Sequence, residues 1–252
     1  MKKMVEDVGE SLEEIMPKII KVLSAVSQEC FLIIGERGLE FLTMDEDLRF
    51  QVLVSIAKEL IKEWHVRSEH ILRVNTDILR NIFYSRQPMT GVKDLKENII
   101  KIKFGEHKSI SLHIFGEGNL SKLKLVRLRE DDQLFSIEIP STELRKFLKM
   151  VGNASDELIF ETKDGKNIRI KAEYLNCSLS GKIEPISIRK TVSRLRFSIP
   201  LKYLRILIPL FDLSEMHSLT LMRNNIFVIE IDKSSRVKCR ASVASSIHSC
   251  NM

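Results

Sequence analysis

The chain writes one succession of elements twice, and a tandem repeat restricts a fold more than any single motif does. In the first half a helical period over 11–27 sets Ile15, Ile19, Val22 and Val26 on one face. Ser11 and Glu14 form a capping-box pattern at its start, with Pro17 as an alternative first residue. A hairpin follows, 30–34 and 39–44 around Gly35-Glu36-Arg37-Gly38, then a strand at 50–56, a loop at 62–67 and a strand at 71–74. A second helix is predicted at 76–86, and strands at 99–104, 110–115 and 120–128 close the half. The second half repeats this order. It has a helix at 141–151, a hairpin at 158–162 and 167–172, and strands at 177–183 and 195–199. A helix at 201–210 and strands at 218–222, 226–231 and 237–241 complete it. Matched features lie roughly 120–130 residues apart, the spacing of a duplicated module. Tight-turned antiparallel strands with two helices per module predict an α+β fold with the helices on one face of the sheet. The predicted division is an N-terminal domain at 1–128, a short connector at 129–134 and a C-terminal domain at 135–252.

Composition narrows the class. With 44% hydrophobic and 29% charged residues, the chain reads as an ordinary globular protein, and no apolar run reaches the length of a membrane span. The opening MKKMVEDVGE turns acidic at once and does not read as a signal peptide. Cys30, Cys177, Cys239 and Cys250 have no paired spacing, so the expectation is an intracellular protein with neither a disulfide framework nor a zinc site. A net charge of +6, from 40 Lys+Arg against 34 Asp+Glu, permits nucleic-acid binding without demonstrating it.

The positions of the bases matter more. Lys18 and Lys21 fall on the first helix, Arg80 and Arg86 on the second, Arg145, Lys146 and Lys149 on the third, and Lys202 and Arg205 on the fourth. The acids Glu13, Glu14, Asp77 and Glu143 sit in first turns, where the helix dipole favours them. On one helix alone, dipole complementation accounts for such a pattern. On four helices covering one side of a sheet it makes a basic surface suited to phosphates. No zinc finger or recognition-helix motif is present to read bases.

Several segments resemble the proliferating cell nuclear antigen (PCNA) sliding clamps. They are Gly38-Leu39-Glu40-Phe41-Leu42-Thr43-Met44-Asp45; Pro140-Ser141-Thr142-Glu143 with Lys146 and Lys149; and Arg196-Phe197-Ser198-Ile199-Pro200-Leu201-Lys202-Tyr203-Leu204. With the module order, the resemblance covers nearly the whole chain. It implies a DNA-clamp fold with three subunits closing a ring, helices lining the hole and sheets outside. The implied role is a polymerase processivity factor that encircles duplex DNA without reading its sequence and catalyses nothing. No cofactor or metal is implied. Implied partners are other clamp subunits (identical or different), a clamp loader, DNA polymerase, flap nuclease and ligase. By the same resemblance the 123–128 strand joins the 177–183 strand of a neighbour, with Leu123, Leu125 and Val126 meeting Cys177, Leu179 and Ile183. A checkpoint-type clamp at damaged DNA is implied equally by the fold.

The sequence departs from the family in two places. Asn81 and Tyr84 stand where lysines are common, and Pro209 where a late base is often found. The connector Arg129-Glu130-Asp131-Asp132-Gln133-Leu134 is short and charged, and Arg49 and Gln51 replace apolar lining of the partner-peptide pocket. Ser242-Val243-Ala244 replaces an Ala-Pro segment there, while Met44 and Leu134 remain. Because such pockets draw affinity from apolar anchors, the set Met44, Arg49, Gln51, Leu134 and Val243 predicts a degenerate site. The alternative from another class is a metal-dependent nuclease using Asp45-Glu46-Asp47 and Glu130-Asp131-Asp132. Both clusters fall in predicted loops, where acids are commonly solvated. The histidines (His65, His70, His107, His113, His217, His248) form no ligand set, and Trp64 is assigned to packing.

Overall fold

The computed structural model describes residues 12–83, 89–95, 99–104, 108–113, 129–152, 155–173, 177–233 and 236–251. The first half runs α1 (Leu12–Val26), β1 (Glu29–Gly35), β2 (Gly38–Met44), β3 (Phe50–Ala57), β4 (Glu63–His65), β5 (His70–Asn75), α2 (Thr76–Phe83), β6 (Met89–Leu95), β7 (Ile99–Phe104) and β8 (Lys108–His113). Then come β9 (Gln133–Pro140), α3 (Ser141–Val151), β10 (Glu157–Thr162), β11 (Ile168–Glu173), β12 (Ser178–Ile183), β13 (Ser187–Lys190) and β14 (Arg194–Pro200). The chain ends with α4 (Leu201–Leu207), β15 (Met216–Met222), β16 (Ile226–Lys233), β17 (Val237–Ala244) and β18 (Ser246–Asn251).

α1 forms because Leu12, Ile15, Met16, Ile19, Ile20, Val22 and Leu23 make one continuous buried face. That burial outweighs Pro17, so the helix already runs at Leu12 and does not start at the proline. The cost is one missing N–H in an early turn, leaving the Glu13 carbonyl without its usual intrahelical donor. Pro209 acts more strongly: α4 ends at Leu207, short of the predicted 210, and a 3₁₀ segment (Ile208–Leu213) continues it. The proline ring would meet the carbonyl four residues back in a continuing α-helix.

The α+β duplication is plain in the sheets. β3-β2-β1-β5 in the first half matches β12-β11-β10-β14 in the second, every pair antiparallel. Between β1 and β2 the chain turns at Gly38, with φ 140°, where an added Cβ would lie 2.0 Å from the Ile56 carbonyl oxygen. Only glycine tolerates both the angle and the approach. The halves are then fused, because β17 pairs antiparallel with β3. The result is a nine-stranded sheet, β13-β9-β15-β16-β17-β3-β2-β1-β5, beside a five-stranded sheet, β12-β11-β10-β14-β18, and a four-stranded one, β4-β6-β7-β8. Only β4–β6 is parallel among the described strand pairs. Gln133 and Leu134, read from sequence as connector, are the first residues of β9.

One buried group makes the fold acid-sensitive. His217 on β15 is buried, its ring 4.8 Å from that of Phe211, with Nε2 3.3 Å from the Phe211 carbonyl and Nδ1 lacking a hydrogen-bond partner. Burial pushes its pKa down to about 4, opposed in part by the Phe211 carbonyl. Unfolding restores a value near 6.5, so the unfolded chain binds the extra proton between these limits. The stability is therefore full above about pH 6.5 and is lost as pH falls towards 4, by about 3 kcal/mol. Urea midpoints of His217→Phe are expected to fall less than wild type between pH 7 and pH 4.5. Parallel falls would refute this assignment.

Candidate functional site

The helices form one layer across both halves. α1 packs on α2 at one side and on α4 with its 3₁₀ extension at the other, and α3 packs on that same extension. The predicted basic residues are thus on adjoining elements, but they are not equivalent. Lys21, Lys146, Lys149 and Lys202 are exposed, and Lys18 is half-buried. Arg80 is exposed and pairs with Asp77 at 3.1 Å. Arg145 is half-buried and held by Asp212 of the 3₁₀ segment. Arg205 is half-buried with one terminal nitrogen lacking a hydrogen-bond partner. The Lys202 ammonium sits 4.7 Å from the Tyr203 ring centroid. Arg86 lies outside the described residues. Acids balance bases on α1 and on the described part of α2, so the positive surplus of the layer lies on α3 and α4.

At the other predicted site two of the five residues belong to the core. Leu134 is 4% exposed and Val243 is 0% exposed, so both are already core. The Gln51 amide lies over Met44, with Nε2 3.4 Å from Sδ, and Arg49 points to solvent. A feature the sequence reading missed organises this region. Asp45 Oδ1 accepts the N–H groups of Arg49 and Phe50, each at 2.8 Å, and Oδ2 accepts the Tyr203 hydroxyl at 2.6 Å. The Phe50 and Tyr203 rings stack at 4.6 Å. Burial and then the Asp45 hydrogen bond push the Tyr203 pKa up to about 12, so the phenol stays a donor. A loop of the first half is thereby tied to α4 of the second. At its tip Leu48 is 73% exposed with φ 56°. The loop at Asp45 was legible, but no signal marks a partner 158 residues away.

The nuclease alternative gains nothing from this geometry. Asp45 is consumed in structural hydrogen bonds, and among the described residues no three His, Cys, Asp or Glu side chains converge as a metal site. Ser68 meets His70 at 2.9 Å and Ser198 meets His248 at 3.0 Å. The indole of Trp64 packs against the core. Cys30 and Cys239 are buried free thiols whose pKa values burial raises to about 12; Cys177 is free and exposed, and Cys250 is free and half-buried. Among the described residues no helix is long and apolar enough to cross a membrane. At the predicted subunit edge, Leu179 and Ile183 lie on β12 and Cys177 just before it. Leu123, Leu125 and Val126 lie outside the described residues.

A helix layer of two repeated halves, backed by sheets that fuse across the repeat, defines the DNA-clamp class of folds. Solved structures specify it further as the PCNA-type clamp fold. The PCNA of A. fulgidus, in a structure with the C-terminal region of FEN-1 bound, matches with a TM-score of 0.72 and 21% identity, over 95% of this chain and 98% of that one. A chain of the PCNA2–PCNA3 complex from Sulfolobus tokodaii matches with a TM-score of 0.71 and 12% identity, over 92% of this chain and 96% of its own. No protein-family model matches the chain, and no curated protein matches it in sequence. The resemblance read from sequence thus holds for the fold.

Proposed function

We propose that this chain is one subunit of a DNA sliding clamp, with an N-terminal module reaching to 128 and a C-terminal module that begins with β9 at Gln133. The observation that carries the proposal is the single helix layer, with Lys21, Lys146, Lys149 and Lys202 exposed on it, in a PCNA-type fold. Exposed lysines on helices contact phosphates without fixing a sequence register, as a protein that moves along duplex DNA requires. A ring needs little affinity, since topology retains it. The role is that of a non-catalytic tether in replication and repair, served by a clamp loader. The test is retention on DNA after loading. Retention on closed circular duplex and loss on linearised duplex is expected, and equal retention on both would overturn the proposal.

Clients of such a ring would include polymerase, flap nuclease and ligase, and the A. fulgidus neighbour is seen with a FEN-1 segment bound. At this chain's pocket the usual clamp-binding peptides are expected to bind weakly. Leu134 and Val243 are withdrawn into the core, and Gln51 and Arg49 stand where apolar anchors are needed. Fluorescence anisotropy with a labelled clamp-binding peptide checks this, and low-micromolar affinity for the chain alone would contradict it.

A further inference from the structure

The two halves carry the same row of positions across equivalent strands and fill it with different chemistry. Glu29 faces Asn75 directly before α2, and Glu157 faces Pro200 directly before α4, which sets the correspondence. Further along β1 the row runs Ile71, Ile33, Glu40, Ser55; at the same step along β10 it runs Arg196, Glu161, Arg169, Lys182. In the first half the outer pair is mutually satisfied, Ser55 Oγ donating to Glu40 Oε1 at 3.2 Å. In the second half Arg169 faces Lys182, two cations whose Cβ atoms such a pairing holds about 5 Å apart. Like charges directly opposite each other weaken a strand pair, and the first half shows that the fold does not require them.

Arg169 and Lys182 line a cleft of about 450 Å³ together with Lys163 of the β10–β11 turn, Asn167, Glu161 and Asp164. The two acids are engaged elsewhere. Glu161 pairs with Lys171 at 3.3 Å. Asp164 Oδ1 accepts the N–H groups of Lys166 and Asn167 at 2.9 and 2.8 Å, and Oδ2 accepts the Asn167 amide at 2.5 Å. Lys182 has only Glu184, 3.7 Å away and well exposed. Arg169 and Lys163 are exposed and make no ion pair among the described residues.

The cleft is turned away from the helix layer. Gly181 faces α3, since an added Cβ there would lie 3.2 Å from Phe147 Cδ2. Side chains alternate along a strand, so Lys182 and the Arg169 opposite it point to the other side of the sheet. We infer that this cleft docks an acidic segment of a partner protein, whose carboxylates are received by Arg169, Lys163 and Lys182. The Arg169 guanidinium offers a planar fork that binds a carboxylate at two points, and the ammoniums on either side add charge without fixing direction. A cleft of this volume admits a few side chains and not a duplex, and the sheet separates it from the lysines of the helix layer. The site is a protein contact additional to the clamp reading and does not depend on it.

The probe is a fluorescein-labelled hexaglutamate peptide, followed by anisotropy on the full chain with excess unlabelled short duplex present to occupy the helix layer. Binding is expected at low salt and is expected to fade towards 1 M, where the Debye length is about 3 Å. Arg169→Gln with Lys182→Ser removes the opposed cations, so its urea midpoint should not fall below that of wild type. It is expected to weaken the peptide by about tenfold. Lys58→Gln with Lys62→Ser, of the same charge change at exposed positions outside the cleft, is expected to leave peptide binding as it is. Equal losses in the two variants would assign the binding to net charge and overturn the inference. So would displacement of the peptide by the duplex, which would place carboxylates and phosphates on one surface, or the lack of any salt-sensitive binding by wild type. Failure of the chain to be retained on circular DNA would sink the clamp reading and leave this result standing.

Discussion

Substituting Lys146→Glu, Lys149→Glu and Lys202→Glu together is expected to weaken binding to duplex DNA by on the order of a hundredfold at moderate salt. The three lysines are exposed and lie on α3 and α4, where the layer's positive surplus is concentrated. Each lysine at a phosphate releases condensed counterions, contributing about 0.9 to the slope of log affinity against log salt. Removing three should lower that slope by between two and three, and the introduced carboxylates add repulsion. Stability should change little, since only the Lys202 ammonium over Tyr203 makes a defined contact, worth about 0.5–1 kcal/mol. Lys163→Glu, Lys166→Glu and Arg169→Glu together, in the turn between β10 and β11 and on β11 itself, serve as the control of the same charge change. Salt-dependent anisotropy on a short duplex reads both. Equal losses in the triple variant and the control would mean that net charge, and not the helix layer, binds DNA.

The sequence made the helix layer legible because helix faces are local. The period of Ile15, Ile19 and Val22 is enough for α1, and 141–151 matches α3 at both ends. Five strands escaped, each for a physical reason. β6 (MTGVKDL) is interrupted by Gly91, where an added Cβ would lie 3.1 Å from the Glu63 Cβ across the β4–β6 pair. β4 and β13 span three and four residues, too short to show alternation. β18 (SIHSCN) is polar and is held by pairing with β14, a contact set by the whole fold. β9 began inside what read as a charged connector. The partner surface was half legible: Arg49 and Gln51 announced an unusual lining, but burial of Leu134 and Val243 depends on distant strands. The Tyr203–Asp45 tie and the β17–β3 junction are likewise products of tertiary pairing, which no local period encodes.

The junction of the two large sheets is where a core substitution should cost most. Phe197 on β14 is 1% exposed and stacks on Phe160 of β10 at 5.0 Å with 4° between planes. It also meets Phe135 of β9 at 5.8 Å and Phe227 of β16 at 5.5 Å. The five-stranded sheet thus lies against the nine-stranded sheet through one aromatic cluster, and Phe197 is the member touching all the others. Phe197→Ala is expected to destabilise by about 3–5 kcal/mol, from lost burial, the cavity left and the loss of ring pairs. That is a large fraction of the roughly 5–15 kcal/mol that a typical domain holds. Phe83→Ala in the first half should cost less, since Phe83 is 7% exposed and its ring meets Phe41 edge-on at 6.4 Å. The difference bears on function because β14 runs directly into α4, which carries Lys202 and Tyr203. Loss of the cluster should therefore loosen the basic half of the layer and the Asp45 loop together. Urea unfolding monitored by far-UV circular dichroism, with hydrogen exchange at the amides of α4, measures both. A cost under about 1 kcal/mol with α4 protection intact would mean that the sheets are held by the β17–β3 ladder and not by the aromatic cluster.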